Sequence, residues 1–158
     1  MNRLFVTLCL FGASLMPAAV SSAADPHHVP KIDGEIRIDC VLDDPAWREA
    51  LVLEIEIEVR PGENIPAPVR TTARICYSDR HFYVAFRAHD PNPAAIRARY
   101  SDRDHIWDDD WVAVVLDTFN DDRRSFNFFV NPLGIQADGI ETPSGDGLEW
   151  DAIWDSAG

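Results

Sequence analysis

Between Leu51 and Val59 the chain alternates without a break, with Leu51, Leu53, Ile55, Ile57 and Val59 set against Glu54, Glu56 and Glu58. A period of two puts the apolar set on one side of a strand and the acids on the other, and it does not fit the longer period of a helix. Thr72 to Tyr77 and Phe82 to Asp90 flank Ser78-Asp79-Arg80, which predicts a hairpin. In its second strand Phe82, Val84, Phe86 and Ala88 share one face, and Tyr83, Ala85, Arg87 and His89 the other. Val112 to Phe119, Ser125 to Asn131 and Ile135 to Ile140 are linked by Asn120-Asp121-Asp122-Arg123 and Asn131-Pro132-Leu133-Gly134, the pattern of an antiparallel meander. Trp150 to Trp154 reads as the start of one more strand. Pro61-Gly62, Pro66-Ala67-Pro68 and the stretch from Pro143 to Gly147 read as loops.

Two short helical turns are expected between these strands. A short strand from Ile36 leads to Asp44, which can cap a turn that has Pro45 at its first position and Trp47 facing inward. Ala94 to Arg99 allows the second. Short strands with turn signals every 8 to 12 residues or so predict an all-β fold, an antiparallel β-sandwich with jelly-roll or immunoglobulin-like layers. Residues 25–158 form one domain, since neither a repeat nor a linker divides them.

The first 24 residues obey a different pattern. Arg3, the apolar run from Leu4 to Leu15 and the small residues Ser22-Ala23-Ala24 form a secretory signal peptide, too short for a membrane span. The expected location is the periplasm or cell envelope, in association with the outer membrane. No later stretch is apolar for long enough to make a transmembrane helix. Export leaves Cys40 and Cys76 in an oxidising compartment, where one bridge is possible; two buried free thiols are the alternative. The 158-residue chain has a formal charge of −13, which repels a phosphate backbone and excludes nucleic acid as the expected partner.

Five blocks in order resemble the family 9 carbohydrate-binding module. They are Ile38-Asp39-Cys40-Val41-Leu42-Asp43-Asp44-Pro45-Ala46-Trp47; Tyr77-Ser78-Asp79 with Phe82-Tyr83-Val84-Ala85-Phe86; and Arg103-Asp104 with the run from Asp109 to Asp117. The run from Phe128 to Asp138 and Trp150-Asp151-Ala152-Ile153-Trp154 complete the set. The version most resembled stands at the N-terminus of long exported bacterial proteins with a barrel-like remainder. Cys40 departs from the pattern, which carries Gly there, implying either altered turn geometry or an added disulfide. The resemblance implies non-catalytic binding of a glycan or oligosaccharide, associated with carbohydrate catabolism in which another domain or protein performs the hydrolysis. It also implies a sugar held between two Trp rings, supporting Ca2+ ions, further strands beyond Gly158 and an outer-membrane barrel. A structural or plug-like domain that binds no sugar is the alternative.

Sugar binding needs flat aromatic faces for C–H groups and planar polar groups for hydroxyls. Trp107, Trp111, Trp150 and Trp154 are candidates for the first task, with core packing as the competing role. Arg103, Asn127, Asn131, Gln136 and Glu149 are candidates for the second. Asp108, Asp109, Asp117, Asp121 and Asp122 are oxygen donors of the kind calcium takes, or else turn-forming residues on a solvated face. Neither a nucleophile elbow nor a zinc-protease or phosphate-loop motif is present, so a catalytic role is not expected.

Overall fold

The computed structural model describes residues 26–58, 63–147 and 149–158. The expected signal peptide, Val59 and Pro61-Gly62 lie outside the described residues. The fold is all-β and sandwich-like, built of two antiparallel sheets. The first holds β1 (Leu51–Glu58), β2 (Ile65–Tyr77) and β3 (Phe82–Ala88) in the order β1-β2-β3. The second holds β4 (Val112–Leu116), β5 (Ser125–Val130), β6 (Gln136–Thr142) and β7 (Gly145–Gly147) in sequential order. The expected hairpin and meander are both present. No helix among the described residues is long and apolar enough to cross a membrane.

Several boundaries differ from expectation. Pro66 and Pro68 lie inside β2 and not in a loop, with Pro66 opposite Ile57. Pairing with β3 starts only at Thr71, so the proline segment has a single strand partner and tolerates the missing N–H groups. Gly145 to Gly147 pairs with β6, extending the second sheet where a loop was expected. No strand forms from Ile36. The chain instead makes one parallel bridge, Lys31 to Tyr77, and then bends through Gly34 and Cys40, whose φ angles are 92° and 61°. Cys40 therefore takes up a left-handed geometry despite the steric cost of its Cβ.

The main core cluster lies on one face of the first sheet. Pro45–Arg48 forms a 3₁₀ turn that sets Trp47, 4% exposed, among Ile32, Ile36, Ala50, Cys76 and Tyr83. The turn is held by Arg74, whose Nη1 donates to the Trp47 carbonyl at 3.0 Å. Tyr83, and not Phe82, thus marks the core side of β3. On the opposite face Leu51 and Leu53 are half-buried, whereas Ile55 and Ile57 are exposed. The apolar stripe of β1 loses cover towards its far end.

The one possible cysteine bridge is not formed, and only one of the two thiols is buried. Cys76 is buried in the core cluster and Cys40 is exposed on the bend before the 3₁₀ turn, and both are free. Burial pushes the Cys76 thiol up from its ordinary value.

Candidate functional site

The register of the second sheet sorts its side chains into two faces. Val112, Val114 and Leu116 share a face with Phe126, Phe128 and Val130, and with Gln136, Asp138 and Ile140 across the next pairing. Ala113 and Val115 share the other face with Asn127 and Phe129, and with Ala137 and Gly139. The four Trp candidates are divided between these faces. Trp150 and Trp154 pack on Phe126 and Phe128, with centroids at 5.1 Å for Trp150–Phe126 and 5.5 Å for Trp154–Phe128. Trp107 and Trp111 pack on Phe129, at 5.1 and 5.2 Å. They therefore cannot form one sugar platform.

The segment bearing Trp150 and Trp154 is not a strand. It is fixed over the sheet by side chains. Asp138, 1% exposed, points from β6 into the Phe face, where an unpaired carboxylate would be costly. Arg103 Nη2 donates to Asp138 Oδ2, which also accepts the Trp154 indole N–H at 2.7 Å. The same Nη2 donates to the Ala152 carbonyl at 2.9 Å, and the Ala152 amide donates to Asp138 Oδ1 at 3.3 Å. Gln136 accepts from Arg103 Nη1 at 2.6 Å and donates to the Trp154 carbonyl at 2.8 Å. Arg103, Gln136 and Trp154 thus serve an internal polar knot. Their expected contacts with sugar are replaced by contacts with one another, and the central partner, Asp138, escaped the sequence-based selection of site residues.

Asn131 is also internal, at 2% exposure. Its Oδ1 accepts the Leu133 and Ile135 amides at 3.0 and 2.9 Å, closing the turn between β5 and β6. Its Nδ2 donates to Asp109 Oδ2 at 2.9 Å and to the Arg99 carbonyl at 3.1 Å. Asp109, buried, also accepts the Arg99 amide and Nε, both at 3.1 Å. The Asn131 amide, followed by the Arg99 donors, holds the Asp109 carboxyl below the usual carboxylate range. In the run Trp107-Asp108-Asp109-Asp110-Trp111, this anchor turns Asp109 inward. Trp107 and Trp111 remain 43% and 45% exposed.

These two indoles are edge to face, with centroids 6.4 Å apart and planes at 83°, so they form a corner and not a flat shelf. Asn127 stands on the same sheet face, half-buried, and accepts from the Ser125 hydroxyl at 3.0 Å. Its Nδ2 has no partner among the described residues. Trp107, Trp111 and Asn127 are the sequence-selected groups that retain both access and a shared sheet face. Glu149 is exposed and makes no side-chain hydrogen bond among the described residues.

The acidic candidates for calcium serve separate local tasks. Asp108 is exposed and lies 3.3 Å from Arg99 Nη2. Asp117 accepts the amides of Phe119, Asp121 and Asp122 at 3.0, 2.9 and 2.9 Å, and Asp121 accepts the Arg123 amide at 3.0 Å. Among the described residues no three metal-ligating side chains converge. The donor set as placed does not fit a common centre for the five acids, and the function proposed below uses no metal.

The backbone donors around Asp117, that of Asp122 foremost, hold its carboxyl below the ordinary Asp range. A depressed folded-state pKa stabilises the fold fully above the unfolded value of about 3.9, and the contribution is lost as pH falls through the folded value. Asp117→Asn is expected to flatten the acid limb of the stability profile, measured by urea unfolding between about pH 5 and pH 2. An unchanged limb would contradict this role.

No family model, curated protein or solved structure matches the chain.

Proposed function

We propose that this chain is an exported, non-catalytic carbohydrate-binding module that holds a glycan against the Trp107–Trp111 corner and breaks no bond. The observation that carries this assignment is the half-exposed indole pair on the Phe129 face, anchored from within by Asp109. Two rings at 83° suit one sugar ring, with one indole taking its C–H face and the other closing its side. The Asn127 amide supplies a donor for a hydroxyl on the same side of the sheet. Hydrolysis, where it accompanies binding, belongs to another domain or protein.

The test is isothermal titration with a panel of soluble neutral oligosaccharides. Binding is expected, and Trp107→Ala is expected to weaken it about tenfold or more, since an aromatic contact contributes roughly 0.5–1.5 kcal/mol beyond its buried area. Trp150→Phe, on the opposite face, is expected to leave the affinity within about twofold. Absence of heat with every sugar, or equal binding by Trp107→Ala, would contradict the assignment.

A second reading, a structural domain that docks on another protein surface such as a barrel, has its own observation. Ile55, Ile57, Ile65 and Phe82 are exposed on the first sheet. Ile55 and Ile57 group with Pro66 and Val69 at one end of the sheet and Phe82 stands apart at the other, and the aromatic corner favours the sugar-binding function.

A further inference from the structure

The first sheet carries a positively charged hollow that the aromatic corner does not use. Beyond the core cluster, the face of Cys76, Tyr83 and Ala85 continues through three rows of paired residues. Val52, Arg74 and Ala85 form one row, and Glu54, Thr72 and Arg87 the next. In the third, the His89 amide donates to the Arg70 carbonyl at 2.9 Å. These side chains, with Leu42, line a cavity of about 250 Å³.

Three guanidiniums and one carboxylate meet there. Glu54 is taken up by Arg70, which donates through Nη2 at 2.8 Å and Nε at 3.2 Å. That fork holds the Glu54 carboxyl below its usual range, so it remains charged at neutral pH. Arg74 spends Nη1 on the Trp47 carbonyl. Arg87 has no hydrogen bond or ion pair among the described residues. Two positive charges thus remain uncompensated on neighbouring strands, in a chain whose formal charge is −13. Arg74 and Arg87 stand diagonally across the β2–β3 pairing, where like charges repel, and an oxyanion between them would remove the repulsion while meeting paired N–H donors.

We propose that this cavity binds the carboxylate of a small hydroxylated acid of uronic-acid type. Arg87 and Arg74 hold the carboxylate, and the Thr72 hydroxyl and His89 ring face the sugar hydroxyls. The cavity volume is below that of drug-sized sites and suits a single ring. This site is on the other sheet from the Trp107–Trp111 corner and does not depend on sugar binding there.

The experiment titrates the full chain with glucuronate and, as its neutral counterpart, glucose, at low ionic strength. Glucuronate is expected to bind at least tenfold more tightly than glucose. Arg87→Gln, at an exposed position, is expected to lower glucuronate affinity about tenfold, the scale of one charge-assisted contact. Glu54→Gln is expected to raise it, because Arg70 is released from its partner, and misfolding does not produce that gain. Inorganic sulfate is the third arm and is expected to compete weakly, since it lacks the ring. Equal affinity for glucose and glucuronate, no binding of glucuronate, or sulfate binding as tightly as glucuronate would overturn the proposal. So would an Arg87→Gln variant with unchanged affinity, or a loss on Glu54→Gln.

Discussion

Asp138→Ala is expected to destabilise the fold by about 3 kcal/mol, because it leaves the Arg103 guanidinium without its main partner inside the protein. The estimate sits at the lower end for a broken buried pair because the Arg103 side chain is 32% exposed, whereas that of Asp138 is 0% exposed. The loss has a local signature. Ala152 gives up an acceptor for its amide, and the Trp154 indole N–H loses the same carboxylate. Hydrogen exchange at the Ala152 amide should accelerate beyond what the global change accounts for, as the segment from Trp150 to Trp154 detaches from Phe126 and Phe128. The double variant Arg103→Met with Asp138→Leu should recover much of the stability, since two apolar side chains leave no buried charge. Urea midpoints of the two variants measure this, and a loss in the double variant equal to that of Asp138→Ala would contradict a coupled pair.

Trp47→Ala is expected to cost about 3–5 kcal/mol, the usual range for emptying an indole-sized space in a core. Trp47 fills the gap between the 3₁₀ turn and the first sheet, in contact with the buried cluster that contains Ile32, Cys76 and Tyr83. Its indole N–H is buried with no hydrogen-bond partner among the described residues. Trp47→Phe therefore gives up packing but no hydrogen bond, and a loss below about 1.5 kcal/mol is expected. Equal destabilisation by Phe and Ala, read from urea midpoints, would mean that the indole N–H matters more than the ring volume.

The strands were legible because their apolar positions repeat with period two and the turns between them carry Asn, Asp and Gly. Trp47 was legible as core because Pro45 starts the turn that carries it, but the expected Asp44 side-chain cap is not made, the carboxylate instead accepting the Arg37 amide at 3.3 Å. What the sequence did not disclose was register. Gln136 and Asp138 lie two apart on β6, but only the pairing with Val130 and Phe128 places them on an apolar face, where they require Arg103. Without that pairing, Arg103 and Gln136 look like free polar groups for a ligand, and Asn131 hides its role in the turn. The Trp candidates failed as a single set for the same reason. Spacing along a strand says which residues share its face, but not which face of the sheet a preceding loop or a following segment will cover. Pro66 and Pro68 were misplaced because a proline's tolerance depends on whether a second strand pairs beside it.

The cavity on the first sheet was illegible for a related reason. Arg70, Arg74, Arg87 and His89 lie apart in the sequence, on two strands separated by a turn, and gather only when β2 and β3 pair. Charge summed over the chain concealed a local reversal of sign.

The most direct test of the aromatic corner is fluorine NMR of the chain labelled with 5-fluorotryptophan, which has five Trp positions and so five resonances to assign by substitution. On addition of a binding neutral oligosaccharide, the resonances of Trp107 and Trp111 should shift in a saturable manner while those of Trp47, Trp150 and Trp154 stay in place. Shifts confined to Trp150 and Trp154, or no shift at any of the five with the whole sugar panel, would contradict the assignment of this corner as the glycan contact.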